Sequence, residues 1–417
     1  MTAPHGTPAS AGWVEEALRE HEALERTQRE QEQLAPPEPD AQSGSVATRF
    51  EHHGSPQPLP GSVREELVLE RIDRARRARP RVKEDRITMS HGAGGKATQT
   101  LIEAVFLDTF RNPLLEPLED AARLHINGTR VAMTTDSYVV KPLFFPGGDI
   151  GDLAVNGTVN DLSMAGAVPL YLSAGFILEE GFPVADVARI AASMQAAASK
   201  AGVQVVTGDT KVVEKGKADG CYINTAGLGL IEHGISLGVA HARPGDVILV
   251  SGPIGDHGVT IMLARGELDI EADIVSDTAP LNGLVEGLLE AAPGVRALRD
   301  ATRGGVATIL NEIAAAASVG VVVNEDDVPV RQQVRGASEL LGIDPMYVAC
   351  EGRLVAVVSL EDADRALAAL KAHPQGADAA VIGAVTAGPP GIVQLKTAFG
   401  GTRIVDLLVG DPLPRIC

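Results

Sequence analysis

The chain has 417 residues, 45% of them hydrophobic and 22% charged, with a formal net charge of −19. That is material for two or three domains of about 100–200 residues. So acidic a surface repels phosphate backbones and anionic lipid, which excludes nucleic acid and membranes as expected partners. Three cysteines are too few, and odd in number, for a disulfide framework, which points to a reducing compartment.

Residues 1–85 are charged and interrupted by Pro36, Pro37, Pro39, Pro56, Pro58 and Pro60. They are expected to form a mobile extension with short helices. From Arg86 the texture changes. Hydrophobic spacing predicts a helix over 98–110, a strand over 130–140, a helix over 150–167 and a strand over 169–178. An amphipathic helix is expected over 184–201, closed by Gly202, followed by strands at 203–207 and 221–231. After a break near 233–244, a second series runs strand 246–251, helices 280–291 and 305–317, strand 320–324, helix 331–341, strand 353–360, helix 363–372 and strand 379–385. The expected fold class is therefore α+β, with mixed strands and helices in two halves. Expected domains are 86–235, 236–396 and a tail over 397–417. The most apolar windows are interrupted by Asn156, Asn160 and Asp161, and by Asn311 and Glu312, so no membrane span is expected. No basic region followed by an apolar stretch opens the chain, and a cytoplasmic location is expected.

The loop Ser90-His91-Gly92-Ala93-Gly94-Gly95-Lys96 precedes a helix. Glycines there can turn N–H groups toward an anion, although alone the string reads better as a plain turn. Asp136 closes a strand, Asp161 lies in a helix of small residues, and Gly208-Asp209-Thr210-Lys211 follow another strand. Each aspartate alone reads as a cap or turn residue. Together, with the glycine loop, they point to a Mg²⁺–nucleotide site, where Lys211 would meet phosphate or a reacting group. Arg303, within Asp300-Ala301-Thr302-Arg303-Gly304-Gly305, reads equally as a ligand contact or a structural ion pair. His257 reads better as a structural residue. Glu351 precedes an apolar strand and is either a base or an exposed strand end. Cys221 and Cys350 lie in apolar strands and read as packing residues. Cys417 ends a segment holding Pro412 and Pro414. An extended tail covers about 3.1 Å per residue, so its thiol can move between sites.

The strings SHGAGGK at Ser90, TTDSYVVKPLFFPGGDIG at Thr134, NGTVNDLSMAGAVP at Asn156, TGDTKVV at Thr207, SGPIGDHG at Ser251, LRDATRGGV at Leu298 and PRIC at Pro414 carry a family resemblance. From about Arg86 to Cys417 the chain resembles the HypE family, carbamoyl dehydratases of nickel–iron hydrogenase maturation, within the PurM-like (AIR synthetase) superfamily. Cys350 stands where that pattern has Asn.

The resemblance implies a PurM-like two-domain fold, an ATP-binding and dimerising N-terminal domain, a homodimer, and ATP with Mg²⁺ as cofactors. It implies that Cys417 accepts a carbamoyl group from the carbamoyltransferase HypF. ATP then drives its dehydration to a thiocyanate, and the cyano group passes to iron on the HypC–HypD complex. Matched motif to motif, Asp136, Asp161 and Asp209 are assigned to the metal. His91, Gly92, Gly94 and Gly95 are assigned to the phosphate-covering loop. Gly208, Thr210 and Arg303 are placed at the nucleotide, and Lys211 and Glu351 near the carbamoyl group.

Overall fold

Alternating burial along the first strands reports a sheet covered on one face. A computed structural model describes residues 81–266, 272–410 and 416–417, and Arg81–Cys417 forms one compact unit. The short helices expected within residues 1–80 lie outside the described residues. In the first half, β1 (Ala122–Ile126), β2 (Thr129–Tyr138), β5 (Val168–Glu179), β6 (Gln204–Val213) and β7 (Cys221–Leu230) form a sheet in the order β1-β2-β7-β5-β6. All pairs are antiparallel except β5–β6. The two short strands β3 (Phe144–Phe145) and β4 (Gly148–Asp149) make a hairpin of their own. Ahead of the sheet, α1 (Lys96–Leu101) continues through a wider turn, Ile102–Leu107.

Two helices cover one face. Asp149 caps α2 (Ile150–Met164) by accepting the Gly151 and Asp152 N–H groups. The stripe Ile190, Met194, Ala197, Ala198 and Ala201 of α3 (Val184–Ala201) is buried, as its spacing predicts. Gly202 ends α3 at φ 75°, a left-handed position that suits glycine. The opposite face stays open. Met133, Leu228 and Tyr171 pair across three strands there and are 51%, 40% and 46% exposed.

The second half is a seven-stranded sheet. Its strands are β8 (Val247–Val250), β9 (Val295–Asp300), β10 (Gly320–Asn324), β11 (Leu354–Val358), β12 (Ala380–Thr386), β13 (Val393–Lys396) and β14 (Thr402–Ile404). Their order is β14-β13-β10-β12-β8-β11-β9. Every residue of β8 and β11 is buried, which is why they read as unbroken Val, Ile, Leu and Ala. The helices of this half are α4 (Asp256–Ala264), α5 (Asn282–Ala291), α6 (Gly305–Ala317), α7 (Gln332–Leu341) and α8 (Ala363–Ala372). Leu310, Ile313 and Ala314 of α6 pack with Ile248, Val250, Val355 and Val357. No helix among the described residues is long and apolar enough to cross a membrane.

The polar residues that interrupt α2 join the halves. Asn160 Nδ2 donates to the carbonyls of Ala279 and Glu351, at 3.1 and 3.3 Å, and its Oδ1 accepts the Leu281 N–H at 2.8 Å. Asn156 Nδ2 reaches Thr278 Oγ1 at 3.0 Å. Asn160→Ala leaves a buried N–H without its acceptor. It is expected to cost about 2 kcal/mol, seen as a lower urea midpoint with unchanged m-value.

Candidate active site

Three carboxylates converge where the halves meet. Asp120 precedes β1, Asp161 sits on α2 and Asp300 ends β9, and their oxygens lie within 4.8 Å of one another. The Thr134 hydroxyl lies 2.8 Å from Asp161 Oδ2 and 2.9 Å from the Asp120 carbonyl. Arg299 pairs with Asp120 and, at 3.1 Å, with Glu312. Burial raises the pKa of all three aspartates, and each is raised further by neighbouring carboxylates; Arg299 counteracts this at Asp120 and Asp300. Asp120 Oδ2 and Asp300 Oδ2 are buried without a hydrogen-bond partner. Three desolvated carboxylates, two of them with an unpartnered oxygen, fit a hard divalent cation such as Mg²⁺.

Asp136 lies two residues beyond Thr134 on the same face of β2, 3.9 Å from Arg303 Nη2. Arg303 is held firmly protonated, by Cys417 first and then by Asp136 and Glu351, against burial. The glycine loop rests on it. A Cβ at Gly94 (φ +79°) would lie 2.7 Å from the Arg303 Cβ and carbonyl oxygen. One at Gly95 would lie 2.4 Å from the Leu408 oxygen. The loop is thus clamped between Arg303 and Leu408 of the 397–417 tail. Beside it opens a cavity of about 660 Å³, lined by Gly94, Thr98, Thr302, Arg303, Thr308 and Glu312 among others. A volume of that size suits a small-molecule ligand.

The chain's last two residues enter from the other side. Ile416 and Cys417 are buried among residues of the first half, including Ile150, Leu153 and Tyr138. Val139 N–H donates to a main-chain oxygen of Cys417 at 3.1 Å, and His257 Nε2 lies 2.9 Å from the Ile416 carbonyl. Burial pushes the Cys417 thiol up to about 12; Arg303 opposes this, while Glu351, Asp136 and Asp300 add to it. Glu351 is buried and its carboxyl is raised well above the usual range, by burial first, then by Asp300, Asp136 and Asp277. Its Oε1 has no hydrogen-bond partner.

The structure therefore brings Asp136, Asp161, Arg303, Glu351 and Cys417 together. His91 is turned inward, its Nδ1 accepting the Thr88 N–H at 3.1 Å, so it closes its own turn. Gly92 stands open, with nothing within 4 Å of a Cβ placed there.

The segment Gly208-Asp209-Thr210-Lys211 is placed differently from the sequence expectation. It does not follow a strand but lies inside β6, which runs on to Val213 at the sheet edge. Register pairs Asp209 with Gly175 and Lys211 with Ile177, on the face opposite the buried Leu172 and Ala174. Asp136 faces the helices from β2, three strands away, or about 14 Å at the usual strand spacing. Lys211 Nζ instead holds Asp209 Oδ2 at 2.8 Å, and this contact lowers the Asp209 pKa. Within one chain Asp209 therefore stands apart from Asp136 and Asp161; the carboxylates that converge with Asp161 are Asp120 and Asp300.

Sequence reasoning did not single out Asp120 or assign Asp300 a role. Asp120 follows an irregular segment with no periodic signal. Asp300 opens the string Asp300-Ala301-Thr302-Arg303-Gly304-Gly305, but no strand is expected ahead of it, so the strand-end signal that marks Asp136 is missing there.

The chain matches the AIR synthase related protein N-terminal domain over residues 118–231 and the C-terminal domain over 243–396. It is 56% identical over 331 residues to the carbamoyl dehydratase HypE of Azotobacter vinelandii, covering 79% of this chain and 97% of that protein. It is 48% identical over 336 residues to the HypE of Escherichia coli K12, covering 79% and 99%. Among solved structures, a HypE–HypF complex aligns with a TM-score of 0.71 at 50% identity, covering 74% of this chain and 99% of that one. A HypE in complex with ATP aligns at 0.67 and 49% identity, covering 80% and 100%. A ThiL structure at 20% identity and a TM-score of 0.58 shares the fold. These matches, and the two sheets that carry them, place the chain in the HypE family of carbamoyl dehydratases.

Proposed function

We propose that the chain dehydrates an S-carbamoyl group on Cys417 to a thiocyanate at the expense of ATP. The observation that carries this reading is the buried Cys417 beside Arg303 and Glu351, next to the cavity under the glycine loop. The carbamoyl oxygen is a poor leaving group. Transfer of the ATP γ-phosphoryl to that oxygen makes phosphate the leaving group. Loss of the two N–H protons then leaves S–C≡N, with ADP and phosphate as co-products.

ATP occupies the cavity of about 660 Å³, with its phosphates toward Gly94 and Arg303. Asp120, Asp161 and Asp300, with Asp136 beside them, would hold Mg²⁺. When bound, the ion offsets negative charge that develops on phosphate. Arg303 faces the same charge from the Cys417 side, and Glu351 is the acid–base group. HypF supplies the carbamoyl group and the HypC–HypD complex receives the cyano group. The chain acts in the cytoplasm, as domains 86–235 and 236–396 with a tail over 397–417. It acts as a homodimer, whose second copy covers the open row Met133, Leu228 and Tyr171. Asp209 and Lys211 share that outward face, so Lys211 and the Gly208–Thr210 stretch of β6 serve at the shared edge. The test is intact mass: incubation with carbamoyl donor, HypF and ATP must add a carbamoyl group and then remove water, about 18 Da. Persistence of the carbamoyl adduct with ATP consumed overturns the reading.

Asp300→Asn tests the trio. It should weaken Mg²⁺ binding by more than about tenfold in calorimetry. Without metal it should raise the melting temperature, because one member of a buried, mutually repelling set is gone. The sign follows from linkage. Carboxyls raised in the fold favour it while protonated, and that contribution fades as pH rises above the ordinary carboxylate range. The wild type should therefore lose metal-free stability with rising pH more steeply than Asp300→Asn.

A further inference from the structure

Nothing in the reaction above uses His257, yet it is fully buried and both ring nitrogens are engaged. Nε2 lies 2.9 Å from the Ile416 carbonyl oxygen, and Nδ1 lies 2.8 Å from Ser276 Oγ. A carbonyl only accepts, so Nε2 carries the proton. Burial keeps the imidazole neutral, its pKa lowered to about 4, so Nδ1 is the bare nitrogen. Ser276 Oγ accepts the Thr278 N–H at 3.1 Å, which leaves its own proton for Nδ1. The donors run one way: Thr278 N–H to Ser276, Ser276 O–H to His257, His257 Nε2–H to Ile416.

The ring is also fixed sideways. Phe145 meets it edge-on, with centroids 5.7 Å apart and planes at 84°. The loop holding Ser276 is tied to the same hairpin, through Ser276 N–H to the Pro146 carbonyl at 2.9 Å. So His257 is a rigid donor, aimed at main chain one residue before the thiol. The only other backbone bond to this tail end, among the described residues, is Val139 N–H to a main-chain oxygen of Cys417. Both bonds go to main-chain oxygens of the tail, so they fix its register whatever the sulfur carries.

We propose that His257 is a positioning residue that latches the C-terminal tail, setting the Cys417 sulfur against Arg303 and Glu351 through the Ile416 carbonyl. Its consequence for turnover rests on the dehydratase reading. Because the reacting group is tethered, its occupancy of the site depends on such bonds rather than on free concentration.

The latch is read without any chemistry on the carbamoyl group. Full-length protein is treated with iodoacetamide, and peptide mapping separates Cys417 from Cys221 and Cys350. His257→Ala should speed Cys417 alkylation by about tenfold, the weight of one such bond. His257→Gln, whose amide N–H can stand where Nε2–H does, should return the rate toward wild type. Ser276→Ala, which frees the tautomer, should fall between. In turnover, His257→Ala should lower kcat by a similar factor and leave the KM for ATP unchanged. Should His257→Ala fail to fold by circular dichroism, the comparison of Ser276→Ala with His257→Gln carries the test. Wild-type alkylation in both His257→Ala and Ser276→Ala overturns the proposal, as does His257→Gln alkylating as fast as His257→Ala. If the wild type dehydrates nothing, the dehydratase reading fails, and the alkylation rates still decide the latch.

Discussion

Cys417→Ala is expected to bind ATP and to carry no carbamoyl mass at all. A Cys221→Ser/Cys350→Ser double variant should be modified and dehydrated like the wild type. The three thiols differ in surroundings. Cys221 is buried on β7 and pushed up to about 11 by burial alone. Cys350 is raised well above the thiol range, and its Sγ accepts the Gly255 N–H at 3.2 Å. Cys350 has Arg353, Asp277 and Asp256 near it, whereas the charged neighbours of Cys417 are Arg303, which also lines the cavity under the glycine loop, and Glu351. The raised pKa of Cys417 constrains the order of events. A thiol at about 12 is a weak nucleophile at neutral pH, because burial penalises the thiolate. A carbamoylated sulfur carries no charge and escapes that penalty. The docked position thus suits the loaded tail, and loading by HypF should occur with the tail outside the site. Intact mass of the three proteins after donor treatment decides the point. A modified Cys417→Ala with an unmodified double variant would reassign the carrier.

Much of the fold was legible because it is periodic. The stripe of α3 and the buried run of α6 both carry their signal in the chain, and both bounds matched the expected 184–201 and 305–317. Elements without such a signal escaped. In β9 the two arginines break the apolar run, yet Arg299 is buried because Asp120 and Glu312 neutralise it from elsewhere in the chain. α4 begins in a Gly-Pro-Ile-Gly run that reads as a turn, so His257 looked like one more structural residue. Of the site, Asp161 and Asp136 could be marked from strings, but which carboxylates share an ion depends on tertiary placement. Asp209 shows the limit most plainly. Its motif was visible, whereas its face and its edge position follow from the register with β5.

Glu351→Gln should reduce dehydration by about 10²–10⁴-fold while ATP binding stays close to wild type. The carboxyl is buried, and Asp300, Asp136 and Asp277 raise it further, with Arg303 opposing. It is therefore protonated well above the pH at which an exposed glutamate ionises. Accepting an N–H proton requires its ionised form, so the wild-type rate should climb with pH through that raised pKa. The Gln variant should lack this limb of the profile. The same shift has a stability cost with a definite sign. The folded state holds a proton that the unfolded chain releases at ordinary carboxylate pH, so Glu351 costs more stability as pH rises through the window between the two. Glu351→Gln has the shape without the titration. At neutral pH it should melt above the wild type, by a gap that widens with pH, even as turnover collapses. A residue kept only for packing would give the first effect without the second. Wild-type turnover in the Gln variant, or an unchanged pH–rate limb, would remove Glu351 from the chemistry and leave the proton transfer to another group.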